Sequence, residues 1–205
     1  MILTLCSVLI DVIVDDFTET DIWEPFYGNY PSHEDSLRPP YPPTCGHAIS
    51  CFTELCKIWV ILNAIMMEIY GTQSHSSPSQ TAGGHTSSIF VKICGDLQDW
   101  WTALPDHLRL VPTNLPEIGP PLHIISLNLL YQTTLILVHR PFILGAKDFT
   151  TSAVQRSFGI CITATSAIHD LLQLLVSTFG FSHVPYLNCY AAYIAATISV
   201  FRFQL

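Results

Sequence analysis

The sequence predicts an all-α fold, a multi-helix bundle with an extended Pro-rich N-terminal arm. Three observations carry that expectation. Five stretches repeat apolar residues at three- and four-residue spacing. Prolines gather between those stretches, where they remove backbone donors and stop helices. No convincing strand pair and no internal repeat is visible. Helices joined by short loops should pack antiparallel around one core.

The elements follow in chain order. Residues 1–44 read as an apolar start and an extended acidic and Pro-rich arm, and residues 45–205 as a helical domain. Pro25, Pro31, Pro39, Pro40, Pro42 and Pro43 keep the arm extended. Its aromatics Phe17, Trp23, Phe26, Tyr27 and Tyr30 are expected to pin it to the helical body. A first helix is predicted over about residues 46–70, with Phe52, Cys56, Trp59, Leu62, Met66 and Ile69 inward. Glu54 and Lys57, three apart, fall on its polar side. Gly71 is the expected stop, followed by a solvated loop over 72–85.

A second helix should be capped by Thr86, Ser87 or Ser88 and bury Ile89, Ile93, Leu97, Trp100 and Leu104 before Pro105 ends it. Five prolines make residues 105–121 a rigid connector. Pro120 and Pro121 suit the first turn of a third helix. From Leu122 to Val138 that helix is apolar nearly all round, which marks it as central and buried. His139 and Arg140 then fall at its carbonyl end, where positive charge and donors are favoured, and Pro141 should stop it. A fourth helix follows Thr150, Thr151 and Ser152, with Val154, Phe158, Cys161, Thr165, Ile168, Leu172 and Leu175 inward and Gly180 just past its end. The fifth starts near Pro185, with Leu187, Tyr190, Ile194, Ile198 and Phe201 inward.

Composition narrows the function. The 205 residues are 49% hydrophobic and only 12% charged, against about a quarter charged in an average globular chain. Other parts of a longer chain, or a protein partner, should therefore cover much of the surface. Eight Lys and Arg face 16 Asp and Glu, for a formal net charge of -8. The basic residues are scattered singly, whereas duplex binders cluster them on phosphates. No direct nucleic acid binding by this chain is expected. Seven cysteines, an odd number without a CxxC pair, read as reduced intracellular thiols.

Mean hydropathy is +0.39, so membrane insertion has to be weighed. Met1 to Val14 is short and lacks a basic lead, and Tyr186 to Phe201 contains Asn188, Thr197 and Ser199. Both fall short of the roughly 20 apolar residues of a span. No membrane partner is expected.

Candidate chemistry is sparse. Cys45, His47, Cys51 and Cys56 cluster, and His47 and Cys51 share a helical face. Cys45 and Cys56 do not share it, so the residues read as core thiols at a helix start, with no metal and no cofactor held by this chain. His123, Asn128, Tyr131, His139 and Arg140 mark the buried third helix. Polar groups there must be paired whatever their role. They form either a structural set or the lining of a small-molecule pocket between helices. Asp15, Asp16, Glu19, Asp21 and Glu24 make an acidic run suited to a solvated arm or a partner-binding segment. No GxSxG, P-loop, HExxH or GxGxxG occurs, and no enzyme is expected.

The order of segments resembles the middle homology region of fungal binuclear zinc-cluster transcription factors, the xylanolytic-activator type of regulatory domain. The matching pieces are VDDFTETDIWEPF (14–26), CFTELCKIWVILNAIMMEIYG (51–71), LQDWWTALPDHLRL (97–110), PLHIISLNLLYQTTLILVHRPFI (121–143), CITATSAIHDLLQLL (161–175) and PYLNCYAAYIAATISVF (185–201). The most specific feature is the leucine-rich helix ending in His-Arg-Pro-Phe after a Trp-x-x-x-Leu-Pro-x-x-Leu-Arg segment. The resemblance implies a nuclear regulatory and interaction domain that tunes transcription, with other parts of a longer factor, protein partners or a small-molecule effector as its contacts. It also implies that DNA contact and zinc belong to an N-terminal six-cysteine cluster outside this sequence, and that the domain here is truncated at its C-terminus. The alternative reading is a helical small-molecule sensor or enzyme using a pocket near His123 to Arg140.

Overall fold

A computed structural model describes residues 20–23, 41–71, 82–144, 149–181 and 184–203, with the side chains of 82–87 and 203 left aside. The fold is mainly all-α. Five helices carry it: α1 (Ala48–Ala64, continued by a π-helical turn Ile65–Tyr70), α2 (Ala82–Ala103), α3 (Leu122–Leu144), α4 (Ser152–Phe179) and α5 (Tyr186–Phe203). A strand pair that the sequence did not reveal joins β1 (Ile22–Trp23) to β2 (Thr44–Cys45), antiparallel, with Ile22 opposite Cys45 and Trp23 opposite Thr44. Two residues per strand are too few to show alternation.

α3 is the axis of the molecule, and α1, α4 and α5 pack against it. It is buried all round, from Ile124 to His139 with few interruptions, as the sequence predicts. Its polar residues are satisfied locally: Thr133 and Thr134 donate to the carbonyls of Leu129 and Leu130 at 2.7 and 2.8 Å. Asn128, fully buried, fastens the connector. Its Nδ2 donates to the carbonyls of Leu108 and Ile124, both at 2.8 Å, and its Oδ1 accepts from Leu110 N–H at 2.9 Å. The connector is therefore part of the core, with Leu104 and Leu108 buried beside it. Its far end is tied as well. The Tyr41 hydroxyl donates to Gly119 O, and Gly119 N–H donates to Thr178 Oγ1, both at 2.8 Å. A Cβ on Gly119 would lie 3.0 Å from side-chain atoms of Ile125 and Thr178, so a larger residue would have to push them back by a few tenths of an ångström.

Several expectations are corrected. Pro141 does not stop α3, which runs on to Leu144. Proline at this position removes the N–H that would bond to the carbonyl four residues back, that of Leu137. The Tyr70 hydroxyl donates to that carbonyl at 2.9 Å instead. Arg140 therefore lies short of the helix end. It is half-buried, and among the described residues its guanidinium makes no hydrogen bond or ion pair. Gly71 does cap the π turn, as expected, but with a helical φ of -66 rather than a left-handed one. α2 begins at Ala82, so Thr86, Ser87 and Ser88 lie inside it rather than capping it.

In α1 the inward stripe is Cys51, Glu54, Ile58, Leu62, Ile65 and Ile69. Phe52, Trp59 and Met66 are exposed by 46%, 49% and 38%. One residue is about 100° of helix rotation, and an apolar helix allows the stripe to be drawn at either phase. Glu54 is buried rather than on an outer polar side. Its carboxylate accepts from Lys57 Nζ at 2.7 Å, with Lys57 still in water. In α4 the buried line includes Ser157, Ala164, Leu171 and Leu174 beside the expected Cys161, Ile168 and Leu175. Gly180 caps it at φ 78, as expected. α5 buries Ile194 and Ile198.

Of the arm, Trp23 and Tyr41 are seen to pin the chain to the body. Trp23 meets Tyr41 and Phe179 edge-on, at 5.2 and 5.5 Å between ring centroids. Phe17, Phe26, Tyr27 and Tyr30, most of the acidic run and the loop over 72–81 lie outside the described residues. By length and composition alone, Ala48–Tyr70, Leu122–Leu144 and Ser152–Phe179 are long and apolar enough to cross a membrane. Tyr186–Phe203 is not among them. Leu122–Leu144 is the buried axis, its apolar surface covered by protein.

Candidate functional site

The five residues singled out on α3 do not converge on one pocket. At 1.5 Å of rise per residue, His123 and His139 stand about 24 Å apart along the axis. His123 sits at the N-terminal end of α3, with Nε2 2.6 Å from the Gly46 carbonyl and its ring 6.3 Å from Trp23. It lines a cleft of about 490 Å³ with Trp23, Phe52, Leu55 and Leu127. Asn128 is structural, as described above. Tyr131 stacks on Trp101 at 4.2 Å and 11° between planes. Burial pushes its hydroxyl up to about 12.

The Cys45–Cys56 cluster also disperses. Cys45 is an exposed strand residue. Cys51 donates its thiol to the His123 carbonyl at 3.5 Å. His47 takes up a left-handed backbone, φ 49, before α1, and its ring lies tilted by 32° against His107 at 4.2 Å. Among the described residues, no three His, Cys, Asp or Glu side chains are gathered as a metal site. No disulfide joins the described cysteines.

His139 stands in a different setting. It lines the larger cavity, about 900 Å³, open to solvent between α2, α3 and α4. Each helix contributes residues at i, i+4, i+7 spacing: Phe90, Cys94 and Leu97 from α2, and Leu135, His139 and Phe142 from α3. Ala153, Ser157 and Ile160 do the same from α4. Phe90 meets the His139 ring edge-on at 5.3 Å and leans on Phe142 at 4.2 Å. His139 is 6% exposed and Ser157 7%. Their Nδ1 and Oγ are 3.2 Å apart.

Burial lowers the His139 pKa to about 4, because the charged imidazolium loses its hydration there. The ring is therefore neutral near pH 7. A Ser–His pair invites comparison with a nucleophile and its base. In this setting the ring is poorly suited to act as such a base. An imidazole titrating near pH 4 is a weak base, and among the described residues lining the cavity there is no carboxylate to orient the ring. The neighbouring Cys94 thiol is pushed up to about 11 by burial, so it stays protonated and unreactive. Sequence reasoning named His139 and missed Phe90 and Ser157. The available signal was a serine, four residues before Cys161, on the inward face of an apolar helix.

No protein-family model matches the chain, and no solved structure matches it. It is similar to the nitrogen assimilation transcription factor nirA of Emericella nidulans, with 27% identity over 192 residues. That alignment covers 92% of this chain and 19% of nirA, so the chain spans about a fifth of the relative's length. The chain is thus related to a fungal transcription factor. The named relative is a regulator and not an enzyme.

Proposed function

We propose that this chain is a regulatory and interaction module of a fungal zinc-cluster transcription factor, acting in the nucleus without touching DNA itself. The observation that carries the reading is the alignment to nirA, which takes in nearly the whole chain and only a fifth of the relative. In nirA the matching segment is one part of a longer transcription factor. The sequence resemblance to the middle homology region supports the same assignment. So does the surface: Phe52, Trp59 and Met67 on α1 are exposed apolar side chains of the kind that contact other protein. DNA contact and zinc would belong to a separate cysteine cluster, with other parts of the factor or protein partners as the contacts of this module.

The test is a reporter assay in a fungal host. The chain is fused between a foreign DNA-binding domain and a foreign activation segment. Output should change severalfold relative to a fusion carrying an inert helical spacer of equal length. Equal output from the two fusions, at equal protein level, would rule out a regulatory module.

A further inference from the structure

The cavity between α2, α3 and α4 combines apolar walls with a buried polar pair and, among its described lining residues, one cation. We propose that it binds a small, mainly apolar carboxylic acid whose inner end carries an uncharged hydroxyl or carbonyl. The apolar body lies between Phe90, Val154 and Ile160, the carboxylate meets Arg156, and the inner group meets His139. This binding follows from the cavity and does not depend on the transcriptional role.

Size is the first argument. About 900 Å³ is in the range of pockets that take drug-sized ligands. Val91 and Ile160, 65% and 37% exposed, leave apolar surface facing water that such a ligand would cover. Charge is the second. Arg156 is the cation among the described lining residues, and it has no acidic counterpart there. Its Nε donates to Ser152 O at 3.3 Å, which leaves the terminal amino groups for a bidentate carboxylate. Arg156 stands in the first turns of α4, where the helix N-terminus also favours negative charge.

The buried pair supplies the third argument. Nδ1 of His139 is shared with Ser157, and among the described residues Nε2 has no hydrogen-bond partner. That nitrogen is not sealed from solvent, so a ligand entering the cavity would displace its water and has to replace that hydrogen bond. With the ring neutral, either tautomer leaves Nε2 one role, donor or acceptor, while the Ser157 hydroxyl turns to match. A hydroxyl can meet both cases. An ionised inner group would trade its hydration for apolar walls and a neutral ring, which favours an uncharged one.

The probe is a hydroxynaphthoate with carboxylate and hydroxyl at opposite ends of the ring pair, titrated by fluorescence into the full chain. Saturable binding in the micromolar range is expected. Ala153→Trp, at an exposed lining position, should abolish it by filling the cavity. Arg156→Ala, also exposed, should weaken the probe by roughly tenfold and leave the matching naphthol unchanged. Circular dichroism of both variants checks the fold. Absence of saturable binding at millimolar probe, or binding indifferent to both substitutions, overturns the proposal. Neither result bears on the reporter assay, so the two readings fail separately.

Discussion

At the scale of single residues, Asn128 and His139 both lie buried in α3 but do different things. Asn128 uses both donors of its amide and its oxygen on backbone groups of α3 and the connector. Asn128→Leu would leave Leu110 N–H and Leu108 O inside the core without partners. We expect a loss of about 2–4 kcal/mol by urea unfolding, from two unmet buried groups. A loss below about 0.5 kcal/mol would mean that the connector pairs elsewhere. His139 makes stability depend on pH. Its folded pKa of about 4 lies below the ordinary value of 6.5, so below 6.5 the unfolded chain binds more protons than the folded one. Stability is whole above that pH and falls towards about pH 4. The decline attributable to this ring is on the order of 3 kcal/mol. His139→Gln should remove that share of the slope, and identical pH profiles for parent and variant would show that the ring titrates normally.

At the scale of elements, the join between α1 and α3 decides how far α3 extends. The π turn ends on Tyr70, whose hydroxyl takes the place of the N–H that Pro141 lacks. This reading predicts a coupling. Tyr70→Phe alone should cost about 1–2 kcal/mol, because the Leu137 carbonyl loses its donor. With Pro141→Ala, residue 141 regains an N–H and the cost of Tyr70→Phe should fall to about a third or less. Additive effects in the double-mutant cycle would show that Tyr70 acts by packing alone. The same join accounts for Arg140. Because α3 continues past it, no helix-terminal carbonyls await its guanidinium, whose charge instead opposes the rise in pKa of Tyr70 and Cys161.

At the scale of the whole molecule, the net charge is -8 and the cations are scattered singly along the sequence, whereas release of counterions from DNA takes clustered ones. A fluorescence anisotropy titration of the chain against duplex at low salt should stay flat. Micromolar, salt-dependent binding would reverse that expectation. Elemental analysis of the purified chain should likewise find no stoichiometric zinc, and one zinc per chain lost on His47→Ala would revive the Cys45–Cys56 cluster. The sequence by itself determined the class, the order of five helices and the burial of α3. Those features are written in local periodicity, in proline and glycine at the ends of segments, and in an apolar run too complete to face water. Tertiary structure decided what depends on distant neighbours. It chose which phase of the almost uniformly apolar α1 turns inward, since Phe52 and Trp59 look as apolar as Cys51 and Ile58. It allowed Pro141 inside a helix through a hydroxyl 67 residues away from the carbonyl it meets. It also brought Phe90, His139 and Ser157 around one cavity, although each sits on its own helix. A one-dimensional pattern records the spacing along each helix, while the angle at which three helices meet is set by the packing of all of them.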